Sequence, residues 1–327
     1  MGWFGRDRES RKGRETEGAL EGRHPGADEA LPFFTEDEAA RFRSLVRTTF
    51  AELGMEVVVR ADHMETDDGH QYGLWNLAAS CHNDERGELA WPAVIDRHVR
   101  LITTATRSDA LAELSDEGLM ASVHVRLVEA ASVESLGRDG FDYAFEVAPG
   151  VLRLLVVDLP ETVMTPPQSQ LEKRAPLARL LDQGWRNLQS LPDREEFEAQ
   201  QLEHEGASFT VLLGESLLTA SLALILPDVV ARYAPGATME HGAFVCMPYR
   251  HQLAFHVIDD PQVALQTLMV MPQFAIHGFS DGAGPLSPHT YWWRDGELHQ
   301  LTAIDEDGRL ALTPGPELQA LLGITND

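Results

Sequence analysis

The chain has 327 residues, 43% of them hydrophobic, and carries 26 Lys+Arg against 52 Asp+Glu for a formal charge of -26. That length and apolar content suit one large domain or two ordinary ones and exclude a chain too polar to fold. The negative field repels phosphates and anionic lipid, which argues against general nucleic-acid or membrane-surface binding.

Residues 1–34 are polar, mixed in charge and glycine-rich, and read as a flexible tail. Trp3 and Phe4 precede Arg6, Arg8, Arg11, Lys12 and Arg14, but one turn of apolar residues anchors weakly, so a solvated tail is the better reading. The start "MGWFGRDRESRKGRE" has no apolar core after its charges, so no secretory signal is read there. The two cysteines, Cys81 and Cys246, have no paired spacing, which fits a reducing cytoplasm better than a disulfide framework. Lysine occurs only at Lys12 and Lys173; with the many alanines this reads as the codon bias of a GC-rich bacterial genome.

The fold is expected to start at Thr35, where "TEDE" makes a capping box. Ala39, Phe42, Leu45, Val46, Phe50 and Leu53 then share one helical face, and Gly54 stops the helix. "MEVVV" (55–59) reads as a strand and Gln71–Leu77 as a second, after a turn at Asp67–Gly69. Next come a polar loop and a helix from Pro92 to about Thr104. These elements form an N-terminal α+β unit over 35–108, and "RSDALAELSDEG" (107–118) reads as the boundary.

A C-terminal unit over 118–327 follows. Strands are expected at 122–130, 141–147 and 151–159, the last two joined at "PG" 149–150. A helix over about 174–190 presents Leu177, Leu180, Leu181, Trp185 and Leu188 on one face. Strands near 196–203 and 207–213 lead to an apolar helix from Ser216 to Leu226, ended by Pro227. The apolar stretch 209–226 is broken by Gly214 and Glu215 and so reads as strand, turn and buried helix; a membrane span needs roughly 20 apolar residues. Strands at 243–249 and 253–258 pair, and a helix from Asp260 and Pro261 ends or kinks at Pro272. A meander over 290–312 turns at "RDG" and "DEDG". Groups of adjacent strands alternating with single helices argue for α+β: two units of mostly antiparallel sheet packed with helices.

Candidate chemistry is sparse. Cys81, His82 and His98 are the residues for a thiol nucleophile, but sequence neighbours do not make a dyad and no oxyanion donor or orienting group is evident. The same three lack a fourth ligand and zinc spacing, so no metal is expected. His98 follows Val94 and precedes Ile102 by four residues each, which reads as a core position. His63 and His70 flank a turn rich in aspartate, and polar turn residues explain them. "DEDG" at 305–308 lacks the further ligands of a calcium loop. No phosphate-cradling loop, dinucleotide fingerprint or G-x-S-x-G is present, so no cofactor is expected; Ser216 in "LLGESLLT" fits a helix N-cap. Two places suit recognition. "MPYRHQL" sets Tyr249, Arg250 and His251 just after an apolar strand, where sites often lie. "YWW" (291–293) places at least one aromatic on each face of a strand, so Trp292 or Trp293 either covers a second layer or forms an exposed patch.

The series "LLVVDLPETVM", "LLDQGWRNLQ", "GESLLTASLAL", "CMPYRHQLAF" and "PLS" before "YWWRDGEL" resembles the YtpQ-like family of uncharacterised bacterial proteins. "YGLWNLAAS" and "WPAVIDRHV" resemble its opening half, so the likeness spans roughly 36–300. It implies a cytoplasmic bacterial protein and carries over no catalytic residue. Where the family tends to have Pro-x-Arg-Asp, this chain has Pro248-Tyr249-Arg250-His251. The expectation is a non-enzymatic protein- or peptide-binding, chaperone-like module using Tyr249, Arg250, His251, Trp292 and Trp293. The alternatives are a thiol-dependent hydrolase using Cys81 with His82 or His98, and an acidic immunity-type protein that neutralises a cationic partner.

Overall fold

The computed structural model describes residues 26–66, 71–107, 110–135, 140–159, 162–305 and 309–324. The chain is α+β, its helices packed with several antiparallel sheets. It divides into two compact units, Met1–Thr103 with Ile304–Arg309, and Thr104–Ala303 with Leu310–Asp327. Among the described residues no helix is long and apolar enough to cross a membrane.

The first unit opens with α1 (Glu36–Glu52), and the capping box is formed: Glu38 N donates to Thr35 Oγ1 at 3.3 Å and Thr35 N to Glu38 Oε2 at 2.7 Å. The expected tail is too long at its C-terminal end. Leu31 and Phe34 are buried with Phe42 and Trp91, while Arg43 forms a two-pronged ion pair with Asp28 at 2.8 Å; burying large apolar side chains holds that segment down. Residues 1–25, with the basic stretch read there, lie outside the described residues. Strands β1 (Val57–Val59), β2 (His63–Thr66) and β3 (Gln71–Gly73) form an antiparallel sheet in that order; the turn read at 67–69 lies outside the described residues.

The strand expected over 71–77 stops at Gly73, and α2 (Trp75–His82) begins there. Leu77, Ala78 and Cys81 fall on one side of a helix and enter the core, so tertiary burial overrides the β preference of Trp75. A 3-10 turn (Gly87–Ala90) leads into α3 (Trp91–Arg107).

The second unit begins with the short helices α4 (Ala110–Glu113) and α5 (Asp116–Ser122), where the sequence suggested a boundary. Then come β4 (Val123–Glu129), α6 (Ala130–Ser135), β5 (Phe145–Ala148), β6 (Val151–Leu159) and β7 (Thr162–Met164). They make a four-stranded antiparallel sheet in which β6 is bordered by β4 and β5, with β7 also paired to β6. Helices α7 (Gln168–Glu172), α8 (Leu177–Gln189) and α9 (Leu191–Arg194) follow. Helix α8 lies so close to β4 that a Cβ at Gly184 would meet Leu155 Cδ2 at 2.9 Å and Val125 N at 3.1 Å. Asn187 Nδ2 ties the same helix down by donating to Val123 O at 2.6 Å.

Strands β8 (Glu198–His204) and β9 (Ala207–Leu213) form a hairpin. The helix expected over 216–226 is instead a buried 3-10 helix (Thr219–Ile225) that passes into α10 (Leu226–Tyr233). Pro227 therefore opens a helix, where its missing N–H costs nothing. Strands β10 (Ala243–Cys246) and β11 (Gln252–Val257) pair as expected, and α11 (Pro261–Asp281) does not end at Pro272 but continues past it. The order β12 (Thr290–Arg294), β13 (Glu297–Gln300), β14 (Thr302–Ile304), β15 (Leu310–Leu312) and α12 (Pro316–Leu322) completes the chain. Residues 306–308 of "DEDG" lie outside the described residues.

A six-stranded antiparallel sheet, β13-β12-β10-β11-β9-β8, organises this unit. Side chains alternate across it. Val245, Leu253, Phe255 and Tyr291 join the core shared with α8 and the four-stranded sheet. Phe244, Cys246, Ala254 and Trp292 join a second core with α11 and α12. Both edge strands are polar: β8 reads "EAQQLEH" and β13 "ELHQ".

Candidate functional site

Cys81 is fully buried on α2, and burial, with Asp84 second, pushes its thiol up to about 12. Such a thiol is protonated at neutral pH and screened from any substrate, which removes the physical basis for a nucleophile. His82, one residue on, turns to the exposed side of α2, its ring 5.7 Å from that of Phe33 and 6.3 Å from that of Phe34. His98 is half-buried, while Trp91, Ile95 and Val99 of α3 are buried in the core. His63 bonds Asp62 at 2.7 Å, and His70 lies outside the described residues. Among the described residues no group of three or more His, Cys, Asp or Glu is placed to hold a metal ion.

The aromatic patch expected at "YWW" is internal. Tyr291 and Trp292 are buried on opposite faces of β12, and Trp293 is half-buried against the core that Tyr291 enters. Trp292 Nε1 donates to His241 O at 2.9 Å, which satisfies the indole inside. Tyr249 is buried too, and burial pushes its phenol up to about 12. Four of these aromatics therefore serve packing, and recognition falls to the polar neighbours of Tyr249.

Those neighbours sit on a rigid turn. After β10 the backbone is held by the segment before β12: Ser287 N donates to Met247 O at 3.2 Å, Leu286 N to Pro248 O at 2.8 Å and Arg250 N to Gly284 O at 3.0 Å. Gln252 N donates to Tyr249 O at 3.0 Å and closes the turn into β11. Gly284, at φ +73°, lies against the Arg250 stem: a Cβ there would meet Arg250 Cδ at 2.5 Å. Glycine is required both by that approach and by the left-handed backbone.

Arg250 and His251 are half-buried and bonded to each other, Arg250 Nε donating to His251 Nε2 at 3.1 Å. On the other side of the ring, His251 Nδ1 donates to Gly214 O at 3.1 Å. The two bonds fix the neutral tautomer with its proton on Nδ1, since a proton on Nε2 would oppose the arginine N–H. Burial, then the Arg250 and Arg126 charges, pushes His251 down to about 4.

Arg126, which the sequence reading passed over, completes the cluster. It projects from the middle of β4, opposite Leu154 of β6. The buried 3-10 helix links it to Arg250: Ala220 N donates to Arg250 O at 3.1 Å, and the next residue, Ser221, accepts from Leu127 N at 3.0 Å. The Arg126 Nε is closed off from solvent and has no hydrogen-bond partner. Burial, then repulsion by Arg250, lowers its pKa to about 10, against the opposing pull of Asp158 on β6. Burial raises Asp158 above the usual carboxylate range despite the pull of Arg126 and Arg194. Arg250 itself is lowered by burial. The arrangement is thus two guanidinium groups that feel each other's charge, one of them bonded to a neutral imidazole. Neither arginine forms an ion pair among the described residues, although acids outnumber bases two to one in the chain. Chemically it offers fixed hydrogen-bond donors without matching acceptors.

The clue in the sequence was an arginine and an aspartate inside near-continuous apolar strands, "SVHVRLVEA" and "VLRLLVVDL". Compared with protein-family models, with curated proteins and with solved structures, the chain matches none.

Proposed function

We propose that the chain is a non-enzymatic binding protein whose second unit engages a partner protein or peptide at Arg126, Arg250 and His251. The observation that supports this reading is the pair of half-buried arginines without carboxylate partners. Evolution of a stable core alone would have removed them, because an uncompensated buried charge is strongly unfavourable. The chaperone-like character, the cytoplasmic setting and the kinship with the YtpQ-like family belong to the same proposal and rest on the ordered sequence motifs. The alternative of an acidic protein that neutralises a cationic partner rests on the net charge of -26 alone.

Native mass spectrometry of the protein purified from its own host tests the reading. The expected result is a bound partner at fixed stoichiometry, lost in Arg250→Ala and kept in Arg41→Ala, which changes an exposed pair with Glu88 in the first unit. A bare chain, or a partner retained by Arg250→Ala, would refute it.

A further inference from the structure

We infer that Arg126 and Arg250 form a binding site for a single carboxylate group, carried by an acidic side chain or a chain end of the partner. The inference deepens the binding reading above and rests on it.

Three observations carry it. The first is unmet donor capacity. A guanidinium has five N–H groups and no acceptor. Arg250 gives Nε to His251, and Arg126 leaves even its sequestered Nε unbonded. A carboxylate accepts about four hydrogen bonds and pairs with guanidinium groups in a fork.

The second is rigidity. Gly284 packs on the Arg250 stem, His251 takes its Nε–H, and the 3-10 helix bonds the backbone of Arg250 and of Leu127, next to Arg126. The Arg250 guanidinium is held before any ligand arrives, which lowers the ordering cost of binding.

The third is charge. Arg126, Arg250 and Arg194 outnumber the neighbouring Asp158 carboxylate, and His251 is neutral, so the cluster is net positive. A carboxylate is attracted by that charge and matches the fork of a guanidinium.

The test reads thermal unfolding midpoints of the full chain in sodium acetate, phosphate and chloride at constant ionic strength, since a ligand that binds the folded state raises the midpoint by mass action. The expected result is a saturable rise with acetate over chloride. Arg126→Met and Arg250→Met should weaken that response by roughly tenfold or more, as a lost charged hydrogen bond does. If either methionine variant fails to fold, Arg126→Lys and Arg250→Lys stand in; each keeps the charge, loses the fork and should bind acetate more weakly. No difference between acetate and chloride, or a response undiminished in the variants, would overturn the site. A larger arginine-dependent response to phosphate would overturn the carboxylate assignment. N-acetyl-aspartate amide serves as a peptide-like probe: tighter binding than acetate supports a partner-borne group, and weaker binding overturns that half. Acetate binding without any co-purified partner would sink the protein-partner reading and leave the site standing. A partner held without any acetate response would do the reverse.

Discussion

Replacing Arg126 with methionine should make the second unit more stable. The folded state lowers the Arg126 pKa from 12.5 to about 10. At about 1.36 kcal/mol per pH unit, holding that charge in place costs about 3 kcal/mol at neutral pH. Methionine keeps a flexible stem of similar length and removes both the buried charge and the repulsion with Arg250. Some of the gain is lost because Asp158 then loses a favourable neighbour, so a net stabilisation of about 1–3 kcal/mol is expected, in line with replacements of buried charges by apolar residues. Hydrogen exchange of the β6 amides, Val151–Leu159, reports the opening of this unit without interference from the other. Those amides should exchange roughly 5- to 100-fold more slowly in Arg126→Met, at about 1.4 kcal/mol per factor of ten. Faster exchange by a factor of five or more would refute the reasoning, because the guanidinium would then be held by native interactions and would need no outside ligand to explain it.

Gly184→Ala should destabilise the same amides by about 1–2 kcal/mol, although alanine ordinarily gains about 1 kcal/mol over glycine in a helix, because the new Cβ meets the β4 backbone; a stabilised variant would show that α8 shifts freely. His251 is neutral in the fold with its pKa lowered from 6.5 to about 4, so the unfolded chain binds more protons between those values. Stability from this group is full above pH 6.5 and falls as pH drops towards 4, by up to about 3 kcal/mol. In His251→Gln the pH slope of β6 protection over that window should flatten, and an unchanged slope would count against the assignment. Cys81 should resist iodoacetamide at pH 7.5 in the folded protein and react on unfolding; rapid native labelling would reopen the thiol reading.

The parts legible in the sequence were those decided within one turn or one strand. The Thr35 capping box, the α1 stripe and the "PG" hairpin depend on near neighbours. Trp75–Leu77 was misread as the end of a strand because short apolar runs suit either element; only the placement of Leu77, Ala78 and Cys81 in a core decides for a helix. Pro272 failed as a stop signal because α11 is clamped along one side by Leu268, Met271 and Ala275, whose burial outweighs one lost backbone bond. The site was half legible. Arg250 stood out at a strand end, whereas Arg126 lies 124 positions earlier in sequence, and what brings it near is the pairing of distant segments through Ala220 and Ser221. The tryptophans misled for a related reason: alternation shows that they face opposite ways, and only the packing of α11 and α12 shows that both ways are inward.

The two polar borders of the six-stranded sheet bear on how the protein behaves when crowded. An open border offers a row of unpaired amides and carbonyls on which another chain can grow. Strand β8 carries Glu198, Glu203 and His204 with Gln200 and Gln201, and β13 carries Glu297 and His299. A second copy adding there would bring like charges onto adjacent strands, which is destabilising. The sheet is therefore closed to self-templated growth at both ends, so concentrated solutions should resist fibre formation near neutral pH.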